Sequence, residues 1–155
     1  TFFKTSLEDK KLAILNDFIT KDNINELFAK AEFQGEIDLL SIDIDGNDYW
    51  ILHEILTKHK PRVIVSEFNS EHPLEQSKTI EYDPAFTFDN YTDYYGYTYG
   101  AGVKLAEKFG YTIIYQQSNM NLFYLRNDLV SETPEFKKEV YRHWNGVSNK
   151  NWIEI

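Results

Sequence analysis

Asp43, Asp45 and Asp48 crowd around Gly46 and Asn47, directly after the apolar run Leu39-Leu40-Ser41-Ile42. Carboxylates so close repel one another, so they need a cation, basic partners or solvent. A second apolar run, Val63-Ile64-Val65-Ser66, ends in Glu67-Phe68-Asn69. If the two runs are neighbouring strands, Asp43 and Glu67 share one rim of a sheet, where open α/β domains bind their ligands. Two kinds of chemistry follow. Asp43, Asp45 and Glu67 offer hard oxygen donors for magnesium, calcium or manganese. Alternatively a carboxylate, or His72 just beyond, takes a proton as general base. The plain alternatives stay open beside these: Asp48 as a helix cap, Glu67 and Asn69 as turn residues, His72 as an exposed loop histidine.

The elements that must position these residues can be read from periodicity. Ile37–Ile44 lacks polar alternation, as a strand covered on both faces does. Leu12–Leu15 reads as an earlier strand, followed by Asn16, Asp17 and a helix capped by Thr20 or Asp22, with Ile24, Leu27, Phe28 and Ala31 on one face. Asp48 is expected to cap a second helix, with Ile51, Leu52, Ile55 and Leu56 buried. Gly46 is expected to let the chain turn between strand and helix. A helix over Ala101–Phe109 stops at Gly110. The strands Tyr111–Tyr115 and Asn121–Leu125 form an antiparallel hairpin. Thr133-Pro134 opens a last helix lined by Phe136, Val140, Tyr141 and Trp144. Residues 70–98 read as a long irregular loop rich in tyrosine and phenylalanine, suited to lining a pocket or covering one.

Composition narrows the class. The 155 residues carry a formal net charge of −9 and no cysteine. Nucleic acid and anionic membrane are therefore disfavoured as partners, and disulfides and thiolate metal sites are excluded. No apolar run approaches the roughly 20 residues of a membrane span, so a soluble, cytoplasmic protein is the expectation. The chain reads as one domain. It opens on Thr1-Phe2-Phe3 with Met120 its sole methionine, which suggests a piece of something longer.

Longer strings are more specific than the acids alone. Leu39 through Trp50, then Pro61 through Asn69, resemble FkbM-like, S-adenosylmethionine-dependent methyltransferases. Ile19 through Asn25, Tyr82-Asp83-Pro84 with Phe86, Tyr99-Gly100-Ala101, and Ser118-Asn119 with Asn121-Leu122-Phe123 add to the resemblance, in order. It implies a three-layer, Rossmann-like α/β sheet, mostly parallel with an antiparallel C-terminal hairpin strand. It places Asn16 or Asp17 towards the adenine of the cofactor and Asp43 near its methionine part. Asp45, Asp48, Glu67 and Asn69 fall on the acceptor or metal side, and Tyr99 is taken with Asp48 and Asn69 as substrate-binding. Asp43, Glu67 and His72 are the catalytic candidates, and Asp43, Asp45 and Glu67 the candidate ligands of magnesium or manganese.

The chain departs from that family in one respect: Gly35 is its first glycine, so residues 1–36 hold no glycine-rich cofactor turn. The expectation is a partial domain, lacking its N-terminal strands and binding cofactor weakly alone. The missing portion or a second copy would meet its edge. The expected activity is methyl transfer to an oxygen of a sugar or small metabolite. Two other readings stand beside it: an inactive methyltransferase-like assembly module, and a metal-dependent glycosyltransferase using Asp43 and Asp45 as its Asp-x-Asp.

Overall fold

The computed structural model describes residues 12–32, 35–132, 135–140 and 146–155. Helix α1 spans Ile24–Lys30, strand β1 Leu39–Ile42, helix α2 Asp48–Leu56 and strand β2 Val63–Glu67. Then come a short strand β3, Lys78–Ile80, helix α3, Tyr99–Phe109, and the hairpin β4, Tyr111–Gln117, with β5, Asn121–Arg126. A last strand, β6, Trp152–Glu154, pairs antiparallel with β3.

The main sheet has the order β1-β2-β5-β4. β1 and β2 pair in parallel, whereas β5 pairs antiparallel with both β2 and β4. Hydrogen-bonded pairs are thus mostly antiparallel, which corrects the expectation of a mostly parallel sheet. The cause is placement. The one reversed strand lies inside the sheet, between β2 and β4, so it reverses two pairs rather than one at an edge.

One face of the sheet makes the core. Ile42, Ile64, Leu122, Tyr124 and Ile113 alternate inwards and pack with Ile51, Leu52 and Ile55 of α2 and with Ala101, Leu105 and Ala106 of α3. α1 lies beside α2 and α2 beside α3, so the three helices form a single layer. An irregularity at Ile114 in β4 restores the inward phase, and Gln116 rather than Tyr115 is buried. On the other face Leu39 is 61% and Tyr115 51% exposed, so the described residues form two layers and not the three expected.

Three further expectations change. Residues 12–15 are not a strand, because no described strand lies beside them to complete a ladder. The loop over 70–98 is not structureless: it contains β3, and its Tyr97 and Thr79 are fully buried. Of the expected last helix, Thr133, Pro134, Tyr141 and Trp144 lie outside the described residues, while 135–140 are not helical. There Glu139 instead exchanges two hydrogen bonds with the Gln116 side chain, a tertiary pairing that overrides local propensity. Among the described residues no helix is long and apolar enough to cross a membrane.

Candidate active site

Parallel pairing of Ile42 with Ser66 sets the residues after β1 beside the end of β2. As a result Asp43, Asp45 and Glu67 each offer a carboxylate oxygen, all within 4.8 Å of one another. None of the three makes an ion pair among the described residues. Asp43 and Asp45 are exposed, Glu67 is half-buried, and Glu67 Oε2 is enclosed without a hydrogen-bond partner. Burial, followed by repulsion from Asp48, Asp43 and Asp45, pushes the Glu67 carboxyl up to about 8. Glu67 therefore keeps its proton at neutrality and gives it up just above, within the range where a carboxyl can exchange a proton with a ligand.

The turn that carries these acids is built differently from expectation. Asp45, not Gly46, adopts the left-handed conformation, with φ 54°. Gly46 is needed for space, since a Cβ there would overlap the Phe86 ring. The cap position of α2 is Asn47, which makes no side-chain cap. Asp48 is fully buried in the first turn, and its two carboxylate oxygens accept from the Ile44 and Gly46 amides at 3.0 and 2.8 Å. Asp48 thus ties strand end to helix start instead of capping the helix. Burial pushes its carboxyl up to about 6, against the pull of those two amides.

The remaining candidates separate. Asn69 is fully buried: its amide donates to the Asp93 and Tyr95 carbonyls, and its Oδ1 accepts from the Glu71 amide. It holds the tyrosine-rich loop over the sheet. His72 lies in a separate buried group, 3.5 Å from Asp93 and edge-on to Trp152 at 4.8 Å. Burial and the nearby Lys78 hold its imidazole below the usual range, so it is kept neutral there. Tyr99 begins α3 and lines a cleft of about 260 Å³ with Val103 and Lys138. Asn16 is exposed, while Asp17 joins Leu15, Ile24, Leu27 and Phe28 around an apolar cleft of about 230 Å³.

Sequence reasoning missed Asp93, the partner of His72, because it stands in a tyrosine run with no periodic signal. It also missed Asn47, whose amide donates to the Asp83 carbonyl across the turn. The sole local hint was its place between Gly46 and Asp48.

A parallel strand pair with acids at its carboxyl ends, backed by helices, matches the edge at which open α/β domains bind their ligands. The chain belongs to the FkbM methyltransferase family: the family model described as Methyltransferase FkbM domain matches residues 19–99, more than half of its length. No curated protein and no solved structure matches it.

Proposed function

We propose that the chain carries the acceptor side of an S-adenosylmethionine-dependent O-methyltransferase acting on a hydroxyl of a sugar or small metabolite. The observation that carries this reading is the carboxylate edge within the matched region, with Glu67 raised towards neutrality beside Asp43. Methyl transfer is an in-line displacement, so the protein mainly aligns the acceptor and removes its proton. Glu67, once ionised, takes that proton, and Asp43 orients the hydroxyl at the rim. Asp48 and Asn69 act as positioning residues, through the turn and the loop respectively.

S-adenosylmethionine supplies an activated methyl group when bound. The residues present fit part of it. The cleft beside Asp17 pairs apolar walls with one carboxylate, a combination that suits a flat base bearing an amino group. A glycine-rich turn for the remainder is not among residues 1–36. These residues alone are therefore expected to bind cofactor weakly. Calorimetric titration with S-adenosylmethionine tests that, and tight binding by residues 1–155 would refute the half-site reading. Methyl transfer by a form that includes a glycine-rich turn tests the activity itself.

A second reading has its own observation, the convergence of three carboxylate oxygens within 4.8 Å of one another. A magnesium or manganese ion held by Asp43, Asp45 and Glu67 would draw in the acceptor hydroxyl and lower its proton affinity. Manganese should then raise the melting temperature relative to EDTA, and Asp45→Asn should abolish the rise. Manganese-dependent binding of a nucleotide sugar, with indifference to S-adenosylmethionine, would favour the glycosyltransferase instead. Failure to transfer methyl by such an extended form would leave the assembly module.

A further inference from the structure

A cleft of about 480 Å³ opens between the tyrosine-rich loop and the C-terminal strand. Its rings are fixed walls. The Tyr94 hydroxyl accepts from the Glu81 amide at 3.0 Å and donates to the Asn151 carbonyl at 2.8 Å. The Tyr82 hydroxyl accepts from the Lys21 amide at 3.2 Å. Phe86 is seated on Gly46, where a Cβ would overlap its ring, and lies 6.2 Å from Tyr94. The Tyr94 hydroxyl is thus committed to backbone both as acceptor and as donor, and the Tyr82 hydroxyl as acceptor, so the cleft is offered mainly the carbon faces of these rings. Glu81, Asp83, Lys150 and Asn151 complete the lining and supply both acceptors and donors.

We propose that this cleft is the acceptor subsite and that it takes a neutral pyranose. The lining excludes the other classes in turn. A wholly apolar ligand would take the exposed Glu81, Lys150 and Asn151 side chains out of water without giving them partners, at a cost for each. An anion would face two carboxylates and a single lysine. A cation would be repelled by the ammonium groups already beside the rings, since Lys150 Nζ lies 5.0 Å from the Tyr94 ring centre and 5.7 Å from that of Phe86, and Lys21 Nζ 4.2 Å from that of Tyr82, a repulsion that a neutral ligand does not meet. A pyranose has what remains: one face of C–H groups for a ring, and hydroxyls around its edge for carboxylates, amide and ammonium. The volume lies within the range of small-molecule sites, and rings fixed beforehand cost little ordering on binding.

Position links the cleft to the carboxylate edge. Asn47 donates to the Asp83 carbonyl at 2.8 Å, and Phe86 covers Gly46, so two residues of the cleft's lining pack on the turn that carries Asp45. The role as acceptor subsite rests on the methyl-transfer reading; the binding of a pyranose does not.

The test is saturation-transfer NMR on the 155-residue chain with methyl gluco-, galacto- and mannopyranosides, beside benzyltrimethylammonium, inorganic phosphate and cyclohexanol. At least one glycoside should bind, and better than the three controls. Glu81→Gln with Asp83→Asn should weaken it at least fivefold with an unchanged melting temperature, and Phe86→Leu at least tenfold. Because Phe86 also packs on Gly46, the carboxamide pair keeps the test decisive if that variant unfolds. No glycoside signal, tighter binding of any control, or binding indifferent to the carboxamide pair would each overturn the proposal. A glycoside that binds here but is never methylated by a cofactor-competent form would overturn the methyl-transfer reading instead and leave the pyranose site standing.

Discussion

The two ends of the β1–β2–β5 sheet carry acids in similar number and treat them in opposite ways. At the amino ends of β1 and β2, Glu36 lies 2.8 Å from Arg126 and 3.4 Å from Arg62, while Asp128 lies 2.6 Å from Arg126. Those arginines hold the Glu36 and Asp128 carboxyls below the usual range. At the carboxyl ends, Asp43, Asp45 and Glu67 converge with no arginine or lysine paired to them among the described residues, and the Glu67 carboxyl moves up. Both ends could have been neutralised by one basic side chain. That only one is shows where the fold tolerates electrostatic strain, and strain of this kind is retained where a ligand or reaction uses it.

The largest expected effect breaks the comparison at the functional end. Asp43→Asn removes a charge at an exposed position, and the side-chain bonds that hold the turn are those of Asp48, with none from Asp43 among the described residues. Methyl transfer by a cofactor-competent form should fall by about a hundredfold, the scale of loss when a reacting group is misplaced. Melting temperature should hold or rise. Equal losses in activity and stability would show that Asp43 belongs to the scaffold.

Asp48 sharpens the contrast from within the same turn. Asp48→Ala leaves the Ile44 and Gly46 amides without their acceptor in a buried setting. Each such loss costs ~1–3 kcal/mol, so a net destabilisation of about 2–4 kcal/mol is expected in urea denaturation. A loss below 1 kcal/mol would mean that the turn re-forms around water.

How much of this was legible beforehand follows the same division. The strand ends were legible, because an apolar run stopping in acids is a local pattern, and the longer strings of residues named the family. Which acid does what was not. Asp43, Asp45 and Asp48 look alike in the chain, and only folding turns one inwards to bind two amides and leaves two outside. The tyrosine-rich loop was misjudged for a related reason. Its order comes from long-range bonds such as Asn69 to the Asp93 and Tyr95 carbonyls, and from the Tyr97–Tyr124 hydroxyl pair at 2.9 Å. Periodicity registers neither. The helix expected from Thr133 failed at 135–140 because Gln116, distant in sequence, binds that stretch.

Glu67→Gln gives a smaller effect with a sign that can be worked out. In EDTA the unfolded chain releases the Glu67 proton near 4.5, whereas the folded chain keeps it to about 8. Between those values the folded state binds more protons, so its stability falls as pH rises. Glutamine has no proton to lose. The variant should match the wild type below pH 4.5 and gain on it progressively, by ~1–3 kcal/mol above pH 8 once partial solvation of the site is allowed for. Denaturation midpoints measured across that range check it, and a variant less stable than wild type at pH 8 would refute the cost of ionising Glu67 by burial and repulsion.

The smallest effect belongs to the other end of the sheet. Glu36→Gln removes the acid that Arg62 and Arg126 share, yet Arg126 keeps its bonds to Asp128 and to the Lys60 carbonyl. Glu36 is exposed, and ion pairs at the surface are screened by water and salt. The melting temperature should stay within error of the wild type at physiological salt, with no dependence on pH between 5 and 8. A large loss would mean that the paired end carries the stability of the sheet. The two ends would then differ in degree rather than in kind.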